Sequence, residues 1–208
     1  MQWLRHNHAE PDRGSNLPAR GIRSIPRVCV RLLAGWLLLL PSPAARAQSD
    51  NTVEYPVKLA FLYNITKFVE WPADAFHDPN SPLVICVVGT DPFRAELEQE
   101  LRRRSAGGRP IDLKRVRPSD DLRDCQIAFV PAAEEKKAVS IAASLKGSST
   151  LTVSETEGFA ERGGMINLTV ENNNLHFEIN LAAARQNRLT ISSKVLALAR
   201  IVNNSSAP

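Results

Sequence analysis

Beyond residue 47 the 208-residue chain holds two histidines, His77 and His176, and two cysteines, Cys86 and Cys125. Nucleophilic or metal-assisted catalysis needs such side chains brought together with a base or a second ligand. His77 lies in the polar run Phe76-His77-Asp78-Pro79-Asn80. His176 alternates with Leu175 and Phe177, which puts it on the solvent side of a strand. No His-x-x-x-His, Gly-x-Ser-x-Gly or Cys–His constellation occurs. The cysteines are too few and too far apart for zinc. Glu155, Glu157 and Glu178 are dispersed, and surface solvation is their better explanation. A hydrolase built on such carboxylates is the weakest reading. The chain reads as a non-enzyme with no catalytic residue, no metal and no cofactor.

Two segments could bind rather than react. Val88-Gly89-Thr90-Asp91-Pro92 has the order of a strand, a turn and a helix start, where phosphates bind. It carries one glycine where a dinucleotide fingerprint wants three, and Asp91 already occupies the favourable N-terminal position. It reads as a structural cap. The segment Ser154–Met165 places Phe159 among glycines, just beyond the end of a strand. Open α/β sheets bind ligands there. Phe159, Gly163 and Gly164 are therefore the candidate contacts for a partner or ligand, and the alternative is that Phe159 packs back onto its own domain. The basic run Arg102–Arg117 has only Asp112 against it. It reads as a solvated helix end and edge strand, not a patch for an acidic partner.

The compartment follows from the leader. Arg20, Arg23, Arg27 and Arg31 precede an apolar run from Leu32 to Leu40, then Pro41, Pro43 and the small-residue stretch Ala45-Arg46-Ala47. That order is a cleaved signal peptide over residues 1–47, too short in its apolar part to span a bilayer. The formal net charge of +4 belongs to this leader. Removing its seven of 26 bases and two of 22 acids leaves 19 and 20, a net charge of −1. Nucleic acid is excluded as a partner by this balance, by export and by the absence of interleaved aromatics. In an exported chain the remaining pair, Cys86 and Cys125, reads as a disulfide. The alternative, two buried free thiols, is disfavoured by an oxidising compartment.

The elements that must position these residues are legible as patterns. Tyr55-Pro56 opens a helix that runs at helical spacing to about Trp71-Pro72. Leu83–Val88 and Cys125–Val130 are continuous apolar runs, the mark of strands buried on both faces. A helix from Pro92 to about Arg104 and another from Glu134 to Leu145 separate strands around Ile111–Val116 and Thr150–Val153. Met165–Val170 and Leu175–Asn180 flank a polar turn and predict a hairpin. Ala182–Arg188 and Ser192–Val202 read as helices. The fold class is α/β: a three-layer, Rossmann-like domain over residues 48–208, with a mixed, mostly parallel sheet and an antiparallel hairpin at its edge.

The sequence also resembles a family. The opening run Val57–Pro72 (VKLAFLYNITKFVEWP) is similar to the first helix of the YfiR-like periplasmic regulators. So are Pro82–Asp91, the loop Val153-Ser154…Gly158-Phe159-Ala160…Gly163-Gly164-Met165-Ile166, Phe177-Glu178-Ile179-Asn180, and Ile191–Val202. The resemblance implies a periplasmic regulator that binds and represses the extracytoplasmic part of an inner-membrane signalling protein, a YfiN-like diguanylate cyclase. It also implies cyclic-di-GMP and biofilm control, a homodimer, and sequestration by a YfiB-like outer-membrane lipoprotein. Cys86 and Cys125 match the positions of a family disulfide, while a second cysteine pair of the family has no counterpart here. The competing reading is a periplasmic small-molecule sensor using the strand ends around Gly89 and Phe159.

Overall fold

The computed structural model describes residues 51–204 other than 94, 172 and 173. The expected signal peptide lies outside the described residues. Among the described residues ten strands and five α-helices follow, with two short 3-10 turns besides, in the order α1 (Asn51–Ile65), β1 (Val69–Glu70), β2 (Leu83–Val88), α2 (Ala95–Arg102), β3 (Ser105–Ala106), β4 (Arg109–Val116), β5 (Ile127–Val130), α3 (Glu135–Ser144), β6 (Leu151–Ser154), β7 (Ile166–Glu171), β8 (Asn174–Asn180), α4 (Leu181–Gln186), β9 (Thr190–Ile191), α5 (Ser193–Leu196) and β10 (Arg200–Val202). Eight strands form one sheet in the order β10-β8-β7-β6-β5-β2-β4-β3, and β1 pairs separately with β9. The central pairs β4–β2, β2–β5, β5–β6 and β6–β7 are all parallel. The architecture is α/β and Rossmann-like.

Alternation along the buried strands divides the core into two layers. Leu83, Ile85 and Val87 of β2 join a cluster with Leu59 and Leu62 of α1, Leu101 of α2 and Ala183 and Ala184 of α4. Val84, Cys86 and Val88 face the other way, onto Ala138, Ile141 and Ala142 of α3. A strand buried on both faces needs this two-sided apolar supply. β2 and β5 have it at every position.

The first and last described elements depart from the sequence expectation. Helix α1 begins before Tyr55, so Pro56 sits inside it at the loss of one backbone hydrogen bond. It stops at Ile65, not near Trp71. The Thr66 hydroxyl donates to the Tyr63 carbonyl, and the Lys67 and Phe68 amides tighten the last turn by donating to Asn64 and Ile65. Val69 and Glu70 then pair antiparallel with Ile191 and Thr190. The expected helix Ser192–Val202 is likewise cut short: only Ser193–Leu196 is helical, and Arg200–Val202 runs parallel to β8. The β7–β8 hairpin is antiparallel as expected. It is not the edge, because β10 closes the sheet beyond it.

Candidate functional site

β2 is flanked by β4 on one side and β5 on the other, so chain connections leave it in both directions. The crevice beyond its carboxyl end is the position where open α/β sheets hold ligands. Here the Glu134 side chain lies at the start of that crevice. Gly89 has φ +74, and a Cβ on it would collide with the Glu134 carboxylate, whose side chain lies directly against its backbone. Glu134 is held in turn by Lys137 at 3.0 Å. Asp91 does not cap a helix at Pro92, since α2 begins at Ala95. Its Oδ1 accepts the Phe93 amide at 2.8 Å. Its Oδ2 faces the Arg115 guanidinium at 2.6 Å, an ion pair without hydrogen-bond alignment. Arg115 also donates to Glu98 at 2.9 Å, and these carboxylates raise its pKa, Glu98 foremost.

The roof of the crevice comes from α1. Tyr55 packs edge-on to Phe93 with ring centres 6.0 Å apart, and Phe93 in turn packs against Phe129 at 5.4 Å. One turn along, the Lys58 ammonium is buried and paired with both Glu54 and Glu155. The Glu155 side chain is 6% exposed, and its other oxygen accepts the Ala132 amide at 3.3 Å. Burial alone pulls the Lys58 pKa down, but the hydrogen bonds it donates to Glu155 and Glu54 outweigh that and leave the pKa raised. Burial, with Glu155 beside it, pushes the Tyr55 phenol up. Glu155 is thus not the solvated surface carboxylate expected from sequence. The sequence signal for its partner Lys58 is the i, i+4 spacing from Glu54, which marks that pair but not the distant Glu155.

The glycine-rich loop also turns inward. Phe159 is fully buried in the α3-side core, so its ring packs back onto its own domain and presents nothing to a partner. Gly164 is required there: a Cβ at this position would overlap the Phe159 ring. Gly163 has φ +99, and the Gly164 amide donates to the Phe159 carbonyl at 3.0 Å. The Asn180 side chain donates to the Ala160 carbonyl at 2.7 Å and pins the loop to the end of β8. These contacts give Phe159, Gly163 and Gly164 a shape-setting role.

Cys86 and Cys125 form a disulfide with a Cα–Cα distance of 5.9 Å. It ties β2 to the turn before β5 within the α3-side core. The basic run is partly paired with carboxylates in and around it: Arg102 with Asp112 at 2.6 Å, Arg104 with Glu100 at 3.3 Å and Arg117 with Asp120 at 2.9 Å. Glu178 pairs with Arg200 across β8 and β10, Glu157 is exposed, and His176 is exposed on β8. His77 stands 3.7 Å from Asp124 at the opposite end of the strands, both well exposed. The histidines, the cysteines and the crevice carboxylates are therefore not brought together at one site. Among the described residues no helix is long and apolar enough to cross a membrane.

With these contacts in view, the sequence of residues 55–200 matches the YfiR/HmsC-like family. The chain belongs to that family. It is a regulatory, non-catalytic and periplasmic family. No curated protein matches the chain.

Proposed function

We propose that this chain is an exported repressor that binds the extracytoplasmic domain of an inner-membrane signalling protein, a diguanylate cyclase, and lowers cyclic-di-GMP output. Residues 1–47 are its cleaved export signal and residues 48–208 its single regulatory domain. It works as a homodimer, and a YfiB-like outer-membrane lipoprotein draws it away from the cyclase. The observation that carries this reading is the family match over residues 55–200. The disulfide between Cys86 and Cys125 adds support, because such bonds persist in oxidising compartments. Glu134 against Gly89 and the buried Phe159 weigh against the small-molecule sensor, which needs open space at those strand ends.

Deleting the gene and measuring cyclic-di-GMP and biofilm tests the proposal. A rise in both, reversed by the exported chain and absent in a strain that also lacks the cyclase, is expected. Unchanged cyclic-di-GMP after deletion, with no membrane protein crosslinked to the chain in the periplasm, would remove the proposal.

A further inference from the structure

A groove of about 280 Å³ lies between α1 and the end of α2, away from the crevice at Gly89. Its long wall is the side of α1 that carries Pro56, Ala60 and Tyr63, residues three or four positions apart, and Lys67 stands just beyond the end of the helix. The helical part of this wall, from Pro56 to Asn64, extends about 12 Å at the α-helical rise. The floor is apolar: Leu59 and Leu101 are 5% and 3% exposed and belong to the core beneath. Ala60, small and exposed, leaves the groove open above that floor. α1 is therefore apolar on two sides, one against the sheet and one along the groove.

One end of the groove is cationic. The Lys67 ammonium stacks on the Tyr63 ring at 4.0 Å and the Arg104 guanidinium at 4.9 Å. Lys67, with Arg104 behind it, holds the Tyr63 phenol below its ordinary pKa. The groove's one carboxylate, Glu100, is already shared between Arg104 at 3.3 Å and Arg103 at 3.9 Å. The rim thus keeps an excess of positive charge facing the open space.

We infer that this groove receives an amphipathic helix of the membrane signalling partner, with apolar side chains on the Leu59–Leu101 floor and a carboxylate against Lys67 and Arg104. The inference rests on the proposed function and names the surface by which it acts. Helix-in-groove recognition lays the apolar face of an amphipathic helix into a hydrophobic groove, and the Leu59–Leu101 floor beside α1 with a cationic end offers such a groove. The volume suits a few apolar side chains and excludes a helix backbone, which would lie above it. The rim cations are already stacked, so they meet an acidic group with little further ordering cost.

Two measurements on the exported full-length domain test this. The first is fluorescence anisotropy with a synthetic amphipathic helix carrying a leucine stripe and glutamates at one end, against the same peptide with lysines in place of glutamates. The glutamate peptide should bind at least about tenfold tighter, and Lys67→Glu should invert that preference. Ala60→Arg, at an exposed position that leaves the core intact, should abolish binding. Equal affinity for the two peptides, no affinity for either, or binding only to anionic lipid vesicles overturns the inference. The second is complementation of the deletion strain. Ala60→Arg should fail to restore cyclic-di-GMP repression at normal periplasmic levels, while Lys136→Glu on α3 should restore it. Full repression by Ala60→Arg overturns the groove and leaves the function standing. An unchanged cyclic-di-GMP level on deletion overturns the function, and the peptide binding then decides the groove alone.

Discussion

The two layers that cover the sheet are fastened in different ways. On the α3 side the tie is covalent, Cys86 to Cys125, set in an apolar cluster that includes Phe159. On the α1 side it is electrostatic: Lys58 reaches from the helix to Glu155, 97 residues away, with Glu54 as a second partner. A disulfide restricts the unfolded chain and does not respond to charge. A buried ion pair acts only in the folded state, and removing one partner strands the other in a poorly solvated place. The difference teaches that α1, which also forms the groove wall, is held by a tie that a local change of charge can loosen. The α3 layer is held independently of it.

The largest expected effect breaks the covalent side. Replacing both cysteines by serine should destabilise the domain by about 4 kcal/mol in the chain-entropy treatment of a loop of this length, read from the urea midpoint. An unchanged midpoint would mean that the bridge does not fasten the layer. Glu155→Ala should cost about 3 kcal/mol by leaving Lys58 with Glu54 alone. The double variant Lys58→Met with Glu155→Leu should recover most of that loss, because two apolar groups replace the buried pair and the remaining partner, Glu54, is 28% exposed and keeps contact with water. If the double variant were as unstable as Glu155→Ala, packing and not charge would be what Glu155 supplies. Gly164→Ala sharpens the comparison from the α3 side. Its methyl meets the Phe159 ring, and overpacking of this kind costs about 1–3 kcal/mol. Hydrogen exchange should show that loss in the Ser154–Met165 loop and α3 while α1 stays protected.

These two ties were not equally legible in the sequence. The disulfide is legible from the cysteine count beyond residue 47 and the expected export signal, because both are read from the chain itself. β2, β5 and the β7–β8 hairpin were legible for a similar reason: runs such as Leu83–Val88 carry their burial pattern locally. The ion pair was not, because Lys58 and Glu155 meet only through the packing of α1 over the ends of β5 and β6. The direction of Phe159 was open for the same reason, since it depends on the space that Gly164 leaves and on Asn180 pinning Ala160. The segment after Ser192 misled by periodicity. Val195, Ala199 and Val202 satisfy helical spacing, yet Arg200–Val202 extends because β8 offers it an unpaired edge and Glu178 pairs with Arg200.

The smallest expected effect concerns pH and separates the ties most cleanly. Because its carboxylate partners raise the Lys58 pKa, its contribution is complete below the ordinary lysine value of about 10.4 and is lost as pH climbs through the raised folded value. Tyr55, raised first by burial and then by Glu155, carries the same sign: stability present below its ordinary value of about 10 and lost above it. The domain should therefore show no loss from these two groups through the neutral range and a loss only in strong alkali. Comparing urea midpoints at about pH 8 and about pH 11 should show a larger fall for the wild type than for the Lys58→Met, Glu155→Leu double variant. Tyr55→Phe in each background removes the phenol's share. An equal fall in all four proteins would place the alkaline loss elsewhere and make the α1 tie as indifferent to charge as the disulfide.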